Sequence, residues 1–186
     1  MGTCYISSGI QIGCSDGLGG IKKVYIEGGT GTTTGYTYST DGTVTGATST
    51  SGVTLYGFDV KRNTSSLVQT VTKSFENGSI YFDQVLTLVF YKYDQDKRNQ
   101  LKILSQNDFI QIIAIDQNDV KYLLGQVNGM YLSGGDANSG TAFGDGNKFQ
   151  FVFSGQELEP ARVIGGTGAT AALQLANVYT GATISG

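Results

Sequence analysis

Residues 66–93 read "SLVQTVTKSFENGSIYFDQVLTLVFYKY", and the reading of this stretch decides the fold. Two runs rich in Val, Thr, Ile, Phe and Tyr, 66–76 and 79–93, flank Asn77-Gly78. That dipeptide most readily takes the positive φ angles of a two-residue type I′ hairpin turn. In the second run Ile80, Phe82, Leu86, Leu88 and Phe90 share one parity, so they line one face of a strand. The other parity carries Ser79, Tyr81, Asp83, Val85, Thr87, Val89 and Tyr91, a mixed face seldom left wholly to water. The strand is also longer than the usual ~5–6 residues. Such a hairpin is either an ordinary pair within a sheet or an arm that seeks a neighbour by edge pairing.

Downstream, "DQDKRNQLKILSQND" (94–108) is the one convincing helix, with Asp94 or Asp96 able to cap it and Leu101, Ile103 and Leu104 as a narrow apolar stripe. "FIQIIAI" (109–115) and "VKYLLGQVNGMYL" (120–132) form a second hairpin through "DQND". "SGGDANSGTAFGDGN" (133–147) reads as a loop, and "KFQFVFSG" (148–155) as a strand with Phe149, Phe151 and Phe153 on one face. The expected fold is mainly β: an antiparallel two-sheet sandwich or barrel with a long hairpin arm and one short flanking α-helix near 95–105.

Residues 1–27 form an N-terminal segment, and 28–54 a Thr/Gly-rich loop or loosely paired strands projecting from the core. The β-domain spans 55–164, with the core expected mainly within 53–164, and 165–186 reads as a tail released by a glycine hinge and ordered against a neighbouring subunit.

Composition narrows the function. The chain has 186 residues, 12 basic and 15 acidic, so the net charge is −3 and no basic surface for holding nucleic acid is indicated. It contains no His and two Cys, Cys4 and Cys14, too few for an ordinary zinc site and compatible with free thiols or one disulfide. The N-terminus lacks a basic segment followed by an apolar run, and the longest apolar block, 85–90, is too short for a membrane helix. A non-secreted protein without a membrane anchor is therefore expected.

Chemical motifs fail individually. "RVIGGTGATAALQLA" (162–176) contains Gly166-x-Gly168-x-x-Ala171, yet no acidic residue and too little chain follow for a dinucleotide-binding unit. The loop from Asp136 through Asn138, Gly140 and Asp145 resembles a calcium loop but ends on Asn147 instead of a bidentate Glu. Without His, a Ser or Cys nucleophile lacks its usual base, and Glu157 and Glu159 read as solvation of a strand edge. No catalytic, cofactor or metal residues are assigned.

The run 122–161, "YLLGQVNGMYLSGGDANSGTAFGDGNKFQFVFSGQELEPA", resembles the closing segment of phage tail tube proteins, and the order long hairpin, helix, hairpin over about 55–161 is similar to that fold, which the type VI secretion tube protein shares. The resemblance implies a subunit that assembles into hexameric rings stacked as a tube in the virion tail, with other tail or neck proteins as partners and genomic DNA passing without specific binding. The hairpin would then supply the inter-subunit contact through Lys73, Phe75, Glu76, Asn77, Gly78 and Tyr81, and Asp83 and Thr87 would face the lumen. A ring or adaptor protein of a short-tailed phage is the near alternative. A β-sandwich glycan-binding or capsid decoration module is the alternative of another class.

Overall fold

The computed structural model describes residue 9 and residues 17–92, 94–166 and 171–185; Cys4 and Cys14, and the question of their pairing, lie outside them. The described chain is a β-sandwich with three layers, and its sheets do not close into a barrel. Strands β1 (Ile21–Gly29), β4 (Val53–Asp59), β7 (Ile112–Asp116), β8 (Lys121–Leu124), β11 (Arg162–Val163) and β13 (Thr183–Ser185) make a six-stranded sheet in the order β11-β8-β7-β1-β4-β13. Strands β5 (Ser66–Ser74), β6 (Ser79–Tyr91), β10 (Lys148–Glu157) and β9 (Tyr131–Asn138) make a four-stranded antiparallel sheet in the order β5-β6-β10-β9. The third layer is a small sheet, β12 (Tyr179–Thr180), β3 (Val44–Ser49) and β2 (Thr33–Tyr38), with helix α2 (Ala171–Val178).

The predicted apolar parities meet across the first interface. Register sets Phe149 opposite Phe90, Phe151 opposite Leu88 and Phe153 opposite Leu86, all on the face turned toward the six-stranded sheet. There they pack against Val24, Ile26, Ile112, Ala114 and Leu124, and Leu86, Leu88 and Phe153 are completely buried. The six-stranded sheet is buried on both sides, which is why Ile112–Ile115 is a continuous apolar run rather than an alternating one. Its other face, through Tyr25, Leu55, Ile113, Ile115 and Leu123, packs on Val44, Ala47, Leu175, Val178 and Tyr179.

Several expectations change here. The core reaches beyond 53–164, because Val24, Tyr25 and Ile26 put β1 between β4 and β7 and because the tail contributes Leu175, Val178 and Tyr179. Residues 28–54 do not simply project: β2 and β3 pair, and Val44 and Ala47 dock them on the sheet. The tail folds onto its own domain through parallel pairing of β12 with β3 and β13 with β4, instead of waiting for a neighbour. A second helix, α2, therefore joins the flanking helix α1 (Gln95–Leu104).

Local chemistry explains the remaining boundaries. Asp94 caps α1 by accepting the Lys97 N–H at 2.9 Å, and its carboxyl is held below its usual pKa by hydrogen bonding to the Lys97 side chain and backbone. The "DQND" turn closes when the Asp116 carboxylate accepts from the Asn118 and Val120 N–H groups, leaving Asp119 at φ 63°. Residues 133–138, expected as loop, continue β9, because their backbone pairs with β10 despite three small residues, Gly134, Gly135 and Ala137. The hairpin of β5 and β6 is longer at its turn than the type I′ reading allows. Ser74 pairs with Ser79, so four residues form the loop, and Gly78 (φ 64°) takes a positive φ while Asn77 does not.

Candidate assembly surface

The pairing of β6 with β10 ends at Phe82, opposite Glu157, whereas the pairing of β6 with β5 continues to Ser79 and Ser74. The last turn of the hairpin therefore stands clear of the four-stranded sheet as a two-stranded arm. Its side chains are exposed, Ile80 48% and Phe75 86%, as is Val71 at its base, 55%, level with Phe82 and Glu157. Lys73 lies over the Phe75 ring, 4.9 Å from its centroid, and the Asn77 N–H donates to Ser74 Oγ at 3.3 Å, which orders the tip. Glu76, Asn77 and Gly78 are exposed in the loop.

Tyr81, Asp83 and Thr87 share the face of the sheet turned away from the core, in register with Thr72, Thr70 and Ser66 on β5. Asp83 accepts from Thr72 Oγ1 at 2.8 Å and from Gln156 Nε2 at 3.1 Å, so this carboxylate is tied to both neighbouring strands. Lys73 belongs to the opposite parity, with Ile80 as its register partner. The structure thus divides the candidates into a tip (Lys73, Phe75, Glu76, Asn77, Gly78) and an outer sheet face (Tyr81, Asp83, Thr87).

At the other end of the same sheet lies a cleft that sequence reading missed. It has a volume of about 580 Å³ and runs between α1 and β9, with Arg98, Leu101 and Lys102 on one wall, Leu132 and Gly134–Ala137 on the other, and Phe149 and Phe151 at its floor. The cleft exists because Gly135 and Ala137, on the core-facing parity of β9, leave the sheet edge unfilled beside the two phenylalanines. Arg98 and Lys102, one helical turn apart, were visible in the sequence as an i, i+4 pair, but nothing there placed small residues of β9 opposite them.

Glu157 corrects an expectation. It is 4% exposed, and its Oε1 accepts the N–H groups of Val127 and Asn128, both at 2.9 Å, so it closes a backbone turn rather than solvating an edge. Glu159, by contrast, is an exposed partner of Arg162. The Asp145 carboxylate accepts from Thr141 and Ala142 within its own loop, and these bonds lower its pKa. Among the described residues no three His, Cys, Asp or Glu side chains gather as metal ligands, and no helix is long and apolar enough to cross a membrane.

A partly buried polar network joins the two other layers. Tyr36 donates to Gln111 Oε1 at 2.5 Å and packs edge-on against Tyr179, while Glu27 accepts from the Thr33 N–H and hydroxyl. Burial raises the pKa of both tyrosines, so they stay neutral hydrogen-bonding groups that tie β2 and β12 to the sheet. Comparison with protein-family models, with curated proteins and with solved structures returned no match.

Proposed function

We propose that this chain is a virion structural subunit that associates with itself into stacked rings, a phage tail tube, with six copies per ring if the resemblance of its 122–161 segment carries over. The observation that carries the reading is the projecting arm: Phe75 and Ile80, with Val71 at its base, leave large apolar surface in water at the Ser74–Ser79 end of the four-stranded sheet.

Two further features support it. Both edges of the β5-β6-β10-β9 sheet are unpaired among the described residues, and β5 runs opposite to β9. Rotating one copy into the next therefore sets β5 antiparallel to a neighbouring β9. The strands are also staggered, since Ser66, Leu67 and Val68 are the β5 residues level with β9. A stagger of about five residues across three strand spacings corresponds to a tilt of roughly 45–50° at ~3.3 Å per residue and ~4.8 Å per strand, near the ~35–45° of closed barrels. The outer face would then line a lumen with Asp83 and Thr87, and its lack of clustered cations would let DNA pass without being held. Other tail or neck proteins would cap the tube.

Negative-stain electron microscopy of the concentrated protein tests the reading. Long tubes are expected, and replacing Phe75–Gly78 by a two-residue Asn-Gly turn should stop tube growth while leaving the domain folded. Single closed rings would favour the ring or adaptor alternative. A monomer at every concentration would overturn both.

A further inference from the structure

We propose that the arm tip of one copy, Phe75–Glu76, docks in the cleft between α1 and β9 of a second copy, an inference that rests on the stacking reading above and supplies the receptor it lacks. Position comes first. The tip lies at the Ser74–Ser79 end of the sheet, and the cleft lies near the opposite end, where Lys148 pairs with Tyr91 and Asn138 and α1 follows β6. The thirteen residues of β6 cover about 40 Å at ~3.3 Å each, so a tip cannot fill its own cleft. A contact between opposite ends of identical copies is heterologous and repeats along one axis.

Shape and polarity agree. A cleft of about 580 Å³ lies within the ~300–1,000 Å³ range of sites that enclose a small ligand, so it accommodates one aromatic ring and its flanking backbone. Leu101, Leu132, Phe149 and Phe151 offer Phe75 an apolar floor, and Gly135 and Ala137 leave the space for it. Phe75, at 86% exposure, is the most uncovered large apolar side chain of the arm.

The charges decide the occupant. Arg98 and Lys102 stand on the helix wall with no ion-pair partner among the described residues. Glu76 immediately follows Phe75 and is the one acidic residue of the tip loop. The opposite wall presents no charge, because Gly135 and Ala137 face the cleft while Asp136, in register with Gln150, lies on the other face of β9. Cation faces carboxylate when the tip enters with Glu76 toward Arg98 and Lys102 of α1. The docking uses side chains of the cleft and leaves the main-chain edge of β9 free for lateral pairing.

Charge reversal on each side tests this with full-length protein, read by sedimentation velocity and negative-stain microscopy. Glu76→Lys and the double variant Arg98→Glu/Lys102→Glu alter exposed side chains, so circular dichroism and melting should remain those of the unaltered chain. Each variant alone should require about tenfold or more higher concentration to form end-to-end assemblies, and mixing the two should restore assembly, because each reversed arm then meets a reversed cleft. Phe75→Ser should weaken assembly without rescue by either. End-to-end assembly unaffected by Glu76→Lys, or a mixture no better than its components, overturns the docking even where tubes still form. Charge-dependent end-to-end pairing without tubes leaves the docking in place and overturns the tube reading.

Discussion

At its root the β5–β6 hairpin places Leu86 and Leu88 at 0% exposure, while at its tip Val71, Ile80 and Phe75 remain 55%, 48% and 86% exposed. Backbone pairing is continuous from one end to the other, and the same parity that buries Leu86 and Leu88 carries Ile80 and Val71. The two ends differ in what lies across from them. At the root, Ile112, Ala114 and Leu124 of the six-stranded sheet complete the core; at the tip, Val71 is level with Glu157, the last residue of β10, and Ile80 and Phe75 lie beyond it. A β pattern thus specifies a face, and only the neighbouring layer turns a face into a core.

The sharpest way to break this comparison is a paired truncation. Leu88→Ala should cost about 2–5 kcal/mol in chemical denaturation, whereas Val71→Ala, on the same parity, should stay within about 0.5 kcal/mol. Equal losses at the two positions would mean that the tip is packed after all. Next in size is Glu157→Ala, at the level where the arm departs from β10. Leaving the Val127 and Asn128 N–H groups without their acceptor should cost about 1–3 kcal/mol, and Glu157→Gln should recover part of it. The smallest effect belongs to the turn. A Cβ at Gly78 meets nothing within 4 Å, but φ is +64°, so Gly78→Ala should cost about 1 kcal/mol through backbone strain alone. A loss well above that in the assembled protein, but absent in the monomer, would place Gly78 in a contact.

Much of the first interface was legible because alternation of side chains is a local property. Phe149, Phe151 and Phe153 announced one face of β10, Leu86 and Leu88 one face of β6, and Asp94 or Asp96 the start of α1, of which Asp94 is the cap. The turn was half legible: Gly78 adopts the positive φ that Asn77-Gly78 suggests, yet the pairing of Ser74 with Ser79 leaves a four-residue loop. The third layer was hidden, since the small polar residues of β2 and β3 carry no strong period. The tail's sequence suggests a segment that docks on a neighbouring subunit after a glycine hinge, whereas it packs on its own domain through Leu175, Val178 and Tyr179. Glu157 could not be told from a surface carboxylate, because the backbone it serves at Val127 and Asn128 is thirty residues away in the chain.

Composition and alternation alone thus establish a β-rich chain with one long hairpin, a capped helix and a surface without clustered cations, because these depend on residues adjacent in sequence or two apart. The doubly buried six-stranded sheet, the return of the tail onto β3 and β4, and the cleft opened by Gly135 and Ala137 beside α1 depend on segments far apart in the chain. Nothing in either partner encodes the other, so those features emerge only when packing brings the segments together.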